Sequence, residues 1–254
     1  MGKIISVTNQ KGGVGKTATV VNLAAAMALS EKKTLIVDFD PQGNATSGVG
    51  TRKDQYQYSV YDFIINQVRA EEVILSTGLP LLKVIPADMD LVGAEIELVP
   101  RTEREKVLRK SLEALNSDFD YIFLDCPPSL GLLTVNALTA AHGIIVPTQC
   151  EYYALEGLGS LLSTIQMVQK DLNPQLTVEG ILLTMFDGRN NLSSQVEKEV
   201  RSHLNDLVFN TVIPRNVRIS ESPSHGLPVL LYDPHCRGAQ SYMELAQELL
   251  SREV

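Results

Sequence analysis

Six short apolar runs rich in β-branched residues recur along the chain: IISVT at 4 to 8, TLIVDF at 34 to 39, LLKVIPA at 81 to 87, YIFLD at 121 to 125, GIIVP at 143 to 147 and VEGILLTMF at 178 to 186. A seventh, VFNTVIP, follows at 208 to 214. Between them, apolar residues return at helical spacing from Lys16 to Leu29, Arg104 to Leu115, Leu155 to Leu172 and Ser193 to Asn205. Strands alternating with helices require crossover connections, so the pattern predicts a doubly wound α/β fold, a mostly parallel sheet with helices on both faces. Nearly continuous apolar strands suit the buried centre of such a sheet. The closing segment, Gly238 to Arg252, carries Tyr242, Leu245, Ala246, Leu249 and Leu250 on one stripe and reads as a terminal helix packed on the sheet. Glu244, Glu248 and Glu253 against Arg252 form its polar side, the wrong charge for a helix that lies on a membrane. No repeat and no Pro/Gly/Ser-rich linker divides the 254 residues, so one domain over 1–254 is expected.

Charge and cysteine usage narrow the function classes. A formal net charge of -8 repels phosphate at long range, so any nucleic-acid contact has to be local. Cys126, Cys150 and Cys236 stand far apart without a CxxC pair, which excludes a disulfide framework or a zinc cage and suits small core residues in a reducing compartment. The N-terminus passes from Met1-Gly2-Lys3 directly into the first apolar run, so no signal peptide fits. The most apolar long stretch, Leu130 to Pro147, is broken by Asn136, His142 and two glycines, too polar for a membrane span. A cytoplasmic protein is expected.

The first apolar run ends in NQKGGVGKT at 9 to 17. A phosphate-binding loop, GxxxxGK[ST], sets successive backbone N–H groups around an anion at the start of a helix, where the helix dipole also favours negative charge. Here the first glycine of the pattern is missing, but Lys11-Gly12-Gly13-Val14-Gly15-Lys16-Thr17 follows a strand and opens a helix, the context the motif requires. Lys16 is expected at the β- and γ-phosphates and the Thr17 hydroxyl on Mg²⁺. Mg²⁺ keeps several waters, so nearby carboxylates commonly act through them. Asp38 and Asp40 close the second run in VDFDPQGN, and Asp125 closes the fourth in FLDCPPS. In a doubly wound sheet these strand ends converge on one crevice. Asp40 is assigned to orienting the attacking water, Asp125 to the surroundings of the metal and Asp38 to its vicinity. No [NT]KxD string marks a guanine site, so ATP is favoured, with Asn216 placed to bond the adenine edge and Pro214 to pack its face. The extra lysine at the front of the loop, Lys11, is unexplained by the phosphate motif itself.

KGGVGKT, VDFDPQGNATSG, FLDCPPSLGLLT, QCEYYALEG and IPRNVRISESPSHG, in this order from about residue 3 to residue 250, resemble the ParA/Soj chromosome- and plasmid-partitioning ATPases of the deviant Walker group that also holds MinD. The resemblance implies that Lys11 reaches across a nucleotide-sandwich homodimer to the phosphates held by the other subunit. A cation supplied in trans stabilises charge on the transferring phosphoryl group, as an arginine finger does, an effect worth roughly 10³ to 10⁵ in rate. It also implies non-specific binding of the ATP-bound dimer to double-stranded DNA and a nucleoid-associated location. Slow hydrolysis to ADP, stimulated by a ParB/Spo0J-type centromere-binding protein, belongs to the same picture. Ala18 departs from the family's second threonine, leaving only a backbone N–H toward the α-phosphate. Arg189 and Arg218 fall where the family's DNA-contacting arginines fall, although six basic and six acidic residues between Phe186 and Tyr242 reveal no patch by composition. The chain begins at its first strand, so no N-terminal helix-turn-helix domain is expected. Three other readings share the loop. A MinD-like membrane ATPase needs a basic C-terminal amphipathic helix, a nitrogenase-type iron protein needs a second cysteine to partner Cys126, and a small-molecule kinase needs an acceptor.

Overall fold

The structure is a computed structural model that describes residues 2–115, 117–151 and 154–252. Its strands are β1 (Lys3–Val7), β2 (Thr34–Asp38), β3 (Leu75–Ser76), β4 (Leu82–Ile85), β5 (Tyr121–Asp125), β6 (Gly143–Gln149) and β7 (Thr177–Thr184). They form one sheet in the order β3-β4-β2-β5-β1-β6-β7, parallel throughout except for the pairing of β3 with β4. Its helices are α1 (Lys16–Leu29), α2 (Asn44–Gly48), α3 (Ala70–Val73), α4 (Leu91–Glu97), α5 (Val107–Leu112), α6 (Leu132–Ala140), α7 (Ala154–Asp171), α8 (Asn191–Leu204), α9 (Val217–Glu221), α10 (Val229–Tyr232) and α11 (Arg237–Ser251).

The expected architecture is the observed one, and strand alternation explains its two apolar layers. Ile4, Leu35, Ile122, Ile144 and Ile181 face one side, packed with α5, α6 and α7. Their immediate neighbours Ile5, Ile36, Phe123, Ile145 and Leu182 face the other, beneath α1 and α11. Burial on both faces removes the polar alternation an exposed sheet would show. Along α1 nearly every residue from Thr19 to Ala28 is buried, and its alanines let the helix sit close between the sheet and α11.

Three expectations change. The run at 208 to 214 is not a strand but a segment with two isolated bridges, Ile181 to Val208 and Phe186 to Pro214. The cause is competition for its donors, since the N–H groups of Asn210 and Thr211 go to the two oxygens of Glu248 at 2.7 and 2.8 Å. Second, Arg104 to Leu115 is helical only at Val107–Leu112, with a 3₁₀ turn on each side. Third, the two-residue β3 is too short to show a period, so Asp125 ends the fifth strand rather than the fourth. Glu248 and Arg252 are also not a free polar face of α11. Arg252 donates to the carbonyls of Glu179 and Val208 and lies 4.2 Å from the centre of the Phe209 ring, which rivets the helix end to the sheet. Of the quoted motifs, Tyr152 and Tyr153 lie outside the described residues, as does Glu253. Among the described residues no helix is long and apolar enough to cross a membrane.

Candidate nucleotide site

β1 lies centrally, and residues 9 to 15 join its carboxyl end to α1 at the point where the chain winds away to both sides of the sheet. The loop is clamped without any ligand. Asn9 donates from Nδ2 to the Pro147 carbonyl at 2.7 Å and accepts the Lys11 N–H at 3.0 Å, while the Thr184 hydroxyl donates to the Val14 carbonyl at 2.8 Å. Gly13 and Gly15 hold φ of +75° and +90°, a region that side-chain-bearing residues rarely enter. Gly12 and Val14 complete the curve, and Thr17 and Ala18 follow Lys16 into the first turn of α1.

The two lysines of the loop are placed oppositely. Lys16 is 7% exposed, and its Nζ donates to the Lys11 carbonyl at 3.3 Å. Burial pulls its pKa down, while Asp125, Cys126 and Asp40 pull it back up. The Lys11 ammonium instead stands outside the loop, its side chain 51% exposed and paired with the Glu151 carboxylate.

Strand register assembles the acids. Asp38 lies opposite Asp125 across β2 and β5, and Asp125 lies opposite Val7 across β5 and β1. Both carboxyls are fully buried. Neither oxygen of Asp125 has a hydrogen-bond partner of normal geometry, although the Thr17 hydroxyl is near enough to lower its pKa against burial and the Asp38 charge, which together raise it well above the usual range. A buried, orphaned carboxylate is costly unless a cation or water completes it. Asp125 beside Thr17 therefore fits the oxygen-donor set of Mg²⁺. Among the described residues no group of three or more His, Cys, Asp or Glu could hold a metal, so waters and phosphate oxygens would have to supply the remaining ligands.

Asp38 has a different setting. One of its oxygens accepts both the N–H and the hydroxyl of Thr46 at 2.7 Å, and the other accepts the Asp40 N–H at 3.3 Å. Thr46 in turn accepts the Ala87 N–H at 3.0 Å, so Asp38 ties β2, α2 and the end of β4 together. Burial pushes its pKa up to about 6, against the hydrogen bonds from Thr46. Asp40 is 7% exposed and accepts the Gln42 N–H at 3.0 Å. Its loop turns at Gly43, where φ is +63° and a Cβ would meet the Ala87 carbonyl at 2.9 Å.

A raised folded-state pKa means that the folded protein holds a proton the unfolded chain has released, so stability falls as pH rises from about 4 through about 6. Asp38→Asn removes that titration. Its melting midpoint relative to the native protein is expected to rise steadily over this window in nucleotide-free solution, and a difference flat with pH would contradict the assignment.

Beside the loop, a cavity of about 250 Å³ is lined by Gly15, Ala18, Met185, Pro214, Asn216 and Tyr242, among others. Asn216 caps α9 by accepting the Arg218 N–H at 2.8 Å, which leaves its amide NH₂ available to a base edge. A larger cleft of about 580 Å³ near Lys33, Lys83 and Phe119 has no part in this constellation. The two arginines are exposed but already paired. Arg189 makes a two-pronged contact to Asp187 at 3.0 Å on each prong, and Arg218 contacts Glu221 at 2.9 Å and Asp233 at 3.3 Å. Cys126 is buried in the core with its sulfur 3.2 Å from the Ser6 hydroxyl, and burial pushes its thiol up to about 12.

Four residues of the site escaped the sequence reading: Asn9, Thr46, Glu151 and Thr184. Asn9 was the findable one, because an asparagine two residues before an N–H it can bond is a recognisable turn pattern. The partners of the others are set by tertiary contact.

A family model described as an AAA domain matches residues 2–178. The sporulation initiation inhibitor protein Soj of Bacillus subtilis is 57% identical over 98% of this chain and 98% of its own length. The chromosome partitioning protein ParA of Myxococcus xanthus is 52% identical over 100% of this chain and 90% of its own. The chain belongs to the ParA/Soj family. Solved structures agree on the fold. A Mycobacterium smegmatis protein titled cobyrinic acid a,c-diamide synthase, with bound ADP and magnesium, superposes with a TM-score of 0.87 at 38% identity, covering 100% of this chain and 96% of that one. The Pyrococcus furiosus cell division ATPase MinD follows at 0.81 and 25%, covering 99% and 100%. As a ParA/Soj protein the chain is an ATPase of the MinD/ParA phosphate-loop type with a role in chromosome segregation.

Proposed function

We propose that this ParA/Soj protein is an ATP-driven DNA-segregation switch formed by one domain over 1–254. In this reading ATP pairs two copies, the pair holds double-stranded DNA without sequence preference, and slow hydrolysis to ADP and phosphate releases both. The observation that supports it most is the split placement of the two loop lysines. Lys16 is buried where it can meet phosphates of its own loop, whereas Lys11 is half exposed on the rim, its ammonium paired among the described residues with Glu151. A cation on the rim is available to a second copy.

The backbone N–H groups of residues 12 to 17 receive the phosphate oxygens, and Lys16 neutralises the β- and γ-groups. Thr17 and, through water, Asp125 would hold Mg²⁺, with Asp38 nearby, and the ion would supply charge neutralisation there. Asp40 orients a water for in-line attack on the γ-phosphorus. The bond to the β-phosphate oxygen breaks and that oxygen leaves with ADP. The partner's loop lysine, equivalent to Lys11, stabilises the charge spread over the γ-oxygens. Pro214 and Asn216 hold adenine in the adjoining cavity.

DNA binding is assigned to Arg189 and Arg218, joined across the pair so that two weak surfaces gain by effective concentration. Their carboxylate partners Asp187, Glu221 and Asp233 have to yield to phosphates, which makes the contact weak and salt-sensitive. A ParB/Spo0J-type protein with a basic segment is the partner assigned to stimulate hydrolysis, and the nucleoid is the expected location. A membrane-bound alternative finds little support in α11, whose Tyr242, Leu245 and Leu249 are buried against the sheet.

The test is gel-shift binding with ATP, with ADP and without nucleotide across a salt series. Binding only with ATP is expected, falling steeply with salt. In the double variant Arg189→Glu, Arg218→Glu, DNA affinity is expected to drop at least about 100-fold while ATP-driven pairing persists. Unchanged gel-shift affinity would remove these arginines from the DNA surface.

A further inference from the structure

α4 has two apolar faces, and only one of them is used. Leu91, Ala94 and Leu98 are buried in the core. Met89, Val92, Ile96 and Val99, spaced three, four and three residues apart, are 61%, 46%, 74% and 55% exposed. That spacing draws a single ridge along the outer side of α4 and the turns that flank it. The Glu95 carboxylate occupies the space a Cβ on Gly131 would need, so the loop that carries the exposed Leu130 runs beside the helix. Single exposed leucines and valines are ordinary on a protein surface, but a ridge of this kind marks an interaction site.

Its position ties it to the nucleotide. Met89 and Asp88 line a cleft of about 510 Å³ with Pro41, Gln42 and Gly43, the loop that carries Asp40. Glu95 touches the loop at 129 to 131 that follows Asp125. α4 and the turn before it therefore lie against both loops that begin at the acidic strand ends.

Its rim is acidic on both sides, with Glu95 along one edge and Asp90 and Glu97 along the other. No described cation forms an ion pair with any of the three, whereas Asp88 is taken by Lys53. Among the described residues Glu97 accepts the Tyr61 hydroxyl, at 2.9 Å. Two copies meeting ridge to ridge would press these carboxylates together, and the cations at the two ends of the ridge, Lys53 and Arg104, are already engaged by Asp88 and Glu105, which disfavours the protein itself as the occupant. A helix laid into such a ridge engages it through i, i+3, i+4 and i+7 anchors. We propose that the outer face of α4 is the docking surface for a basic amphipathic helix of a partner protein, seated where it contacts both nucleotide-facing loops. The proposal deepens the reading of a partner-stimulated ATPase, but its binding arm stands without that reading.

The test uses two synthetic peptides of about 18 residues, long enough to hold a helix. Each carries leucines at helical spacing, flanked by lysines in one and by glutamates in the other, and binding to the full chain with ATP is followed by fluorescence anisotropy. The lysine peptide is expected to bind the native protein and at least tenfold more weakly the variant Val92→Ser, Ile96→Ser, whose changes are on exposed side chains. Glu95→Lys with Glu97→Lys is expected to reverse the preference toward the glutamate peptide. The lysine peptide should also accelerate phosphate release in the native protein and not in the serine variant, while release without peptide is the same in both. Equal binding to all variants, no binding to the native chain, or loss of ATP-driven pairing in the serine variant would overturn the proposal, the last by showing that a second copy covers the ridge. Binding with the stated preference but no phosphate release from ATP would instead sink the ATPase-switch reading and leave the docking surface standing.

Discussion

Lys16→Ala is expected to cripple ATP binding. Its ammonium is 7% exposed, lies beneath the loop and is near both Asp125 and Asp40. A hydrogen bond to a charged group contributes about 1.5 to 3 kcal/mol, and Lys16 meets two phosphates, so affinity should fall at least about 100-fold. Calorimetric titration with ATP and Mg²⁺ measures this. The fold should survive, because the substitution also removes a charge whose burial is unfavourable. A folded variant that keeps near-native affinity would contradict the placement of the phosphates.

Asp40→Ala should produce the opposite phenotype, a protein that binds ATP and stays paired. Asp40 is not in the phosphate loop and holds the turn to Gly43 through the Gln42 N–H, so its removal spares the phosphate contacts and deletes the group assigned to the water. Loss of a positioned base or water-orienting group typically costs 10²- to 10⁴-fold in rate. Light scattering should then show a stable dimer with ATP, with phosphate release reduced by that order. A variant that remains monomeric with ATP would break the link between occupancy and pairing.

The core of the fold was legible because burial on both faces of a parallel sheet leaves an unusually direct trace. The strand at Tyr121–Asp125 and the helix at Lys16–Leu29 have the boundaries read from periodicity alone. Failures came where a tertiary donor or acceptor outcompeted local preference. VFNTVIP has the composition of a strand, yet Glu248, some 38 residues away, captures two of its N–H groups. The same holds for the site. Gly13, Gly15, Lys16 and Thr17 announced themselves by spacing, and the strand ends brought Asp38 and Asp125 into register. Sequence could not distinguish the satisfied carboxylate of Asp38 from the orphaned one of Asp125, since that difference depends on Thr46. Nor could it show that Arg189 and Arg218 are each neutralised by neighbours, or that one side of α4 is left uncovered.

The central claim concerns where the Lys11 ammonium goes when ATP arrives. The structure of the Asp40→Ala protein with ATP and Mg²⁺ tests it most directly. The account predicts a pair of copies in which each Lys11 has left Glu151 and lies within hydrogen-bond distance of the phosphates bound by its partner. Lys11 still on Glu151 in an ATP-loaded protein, or turned onto the phosphates of its own loop, would contradict it.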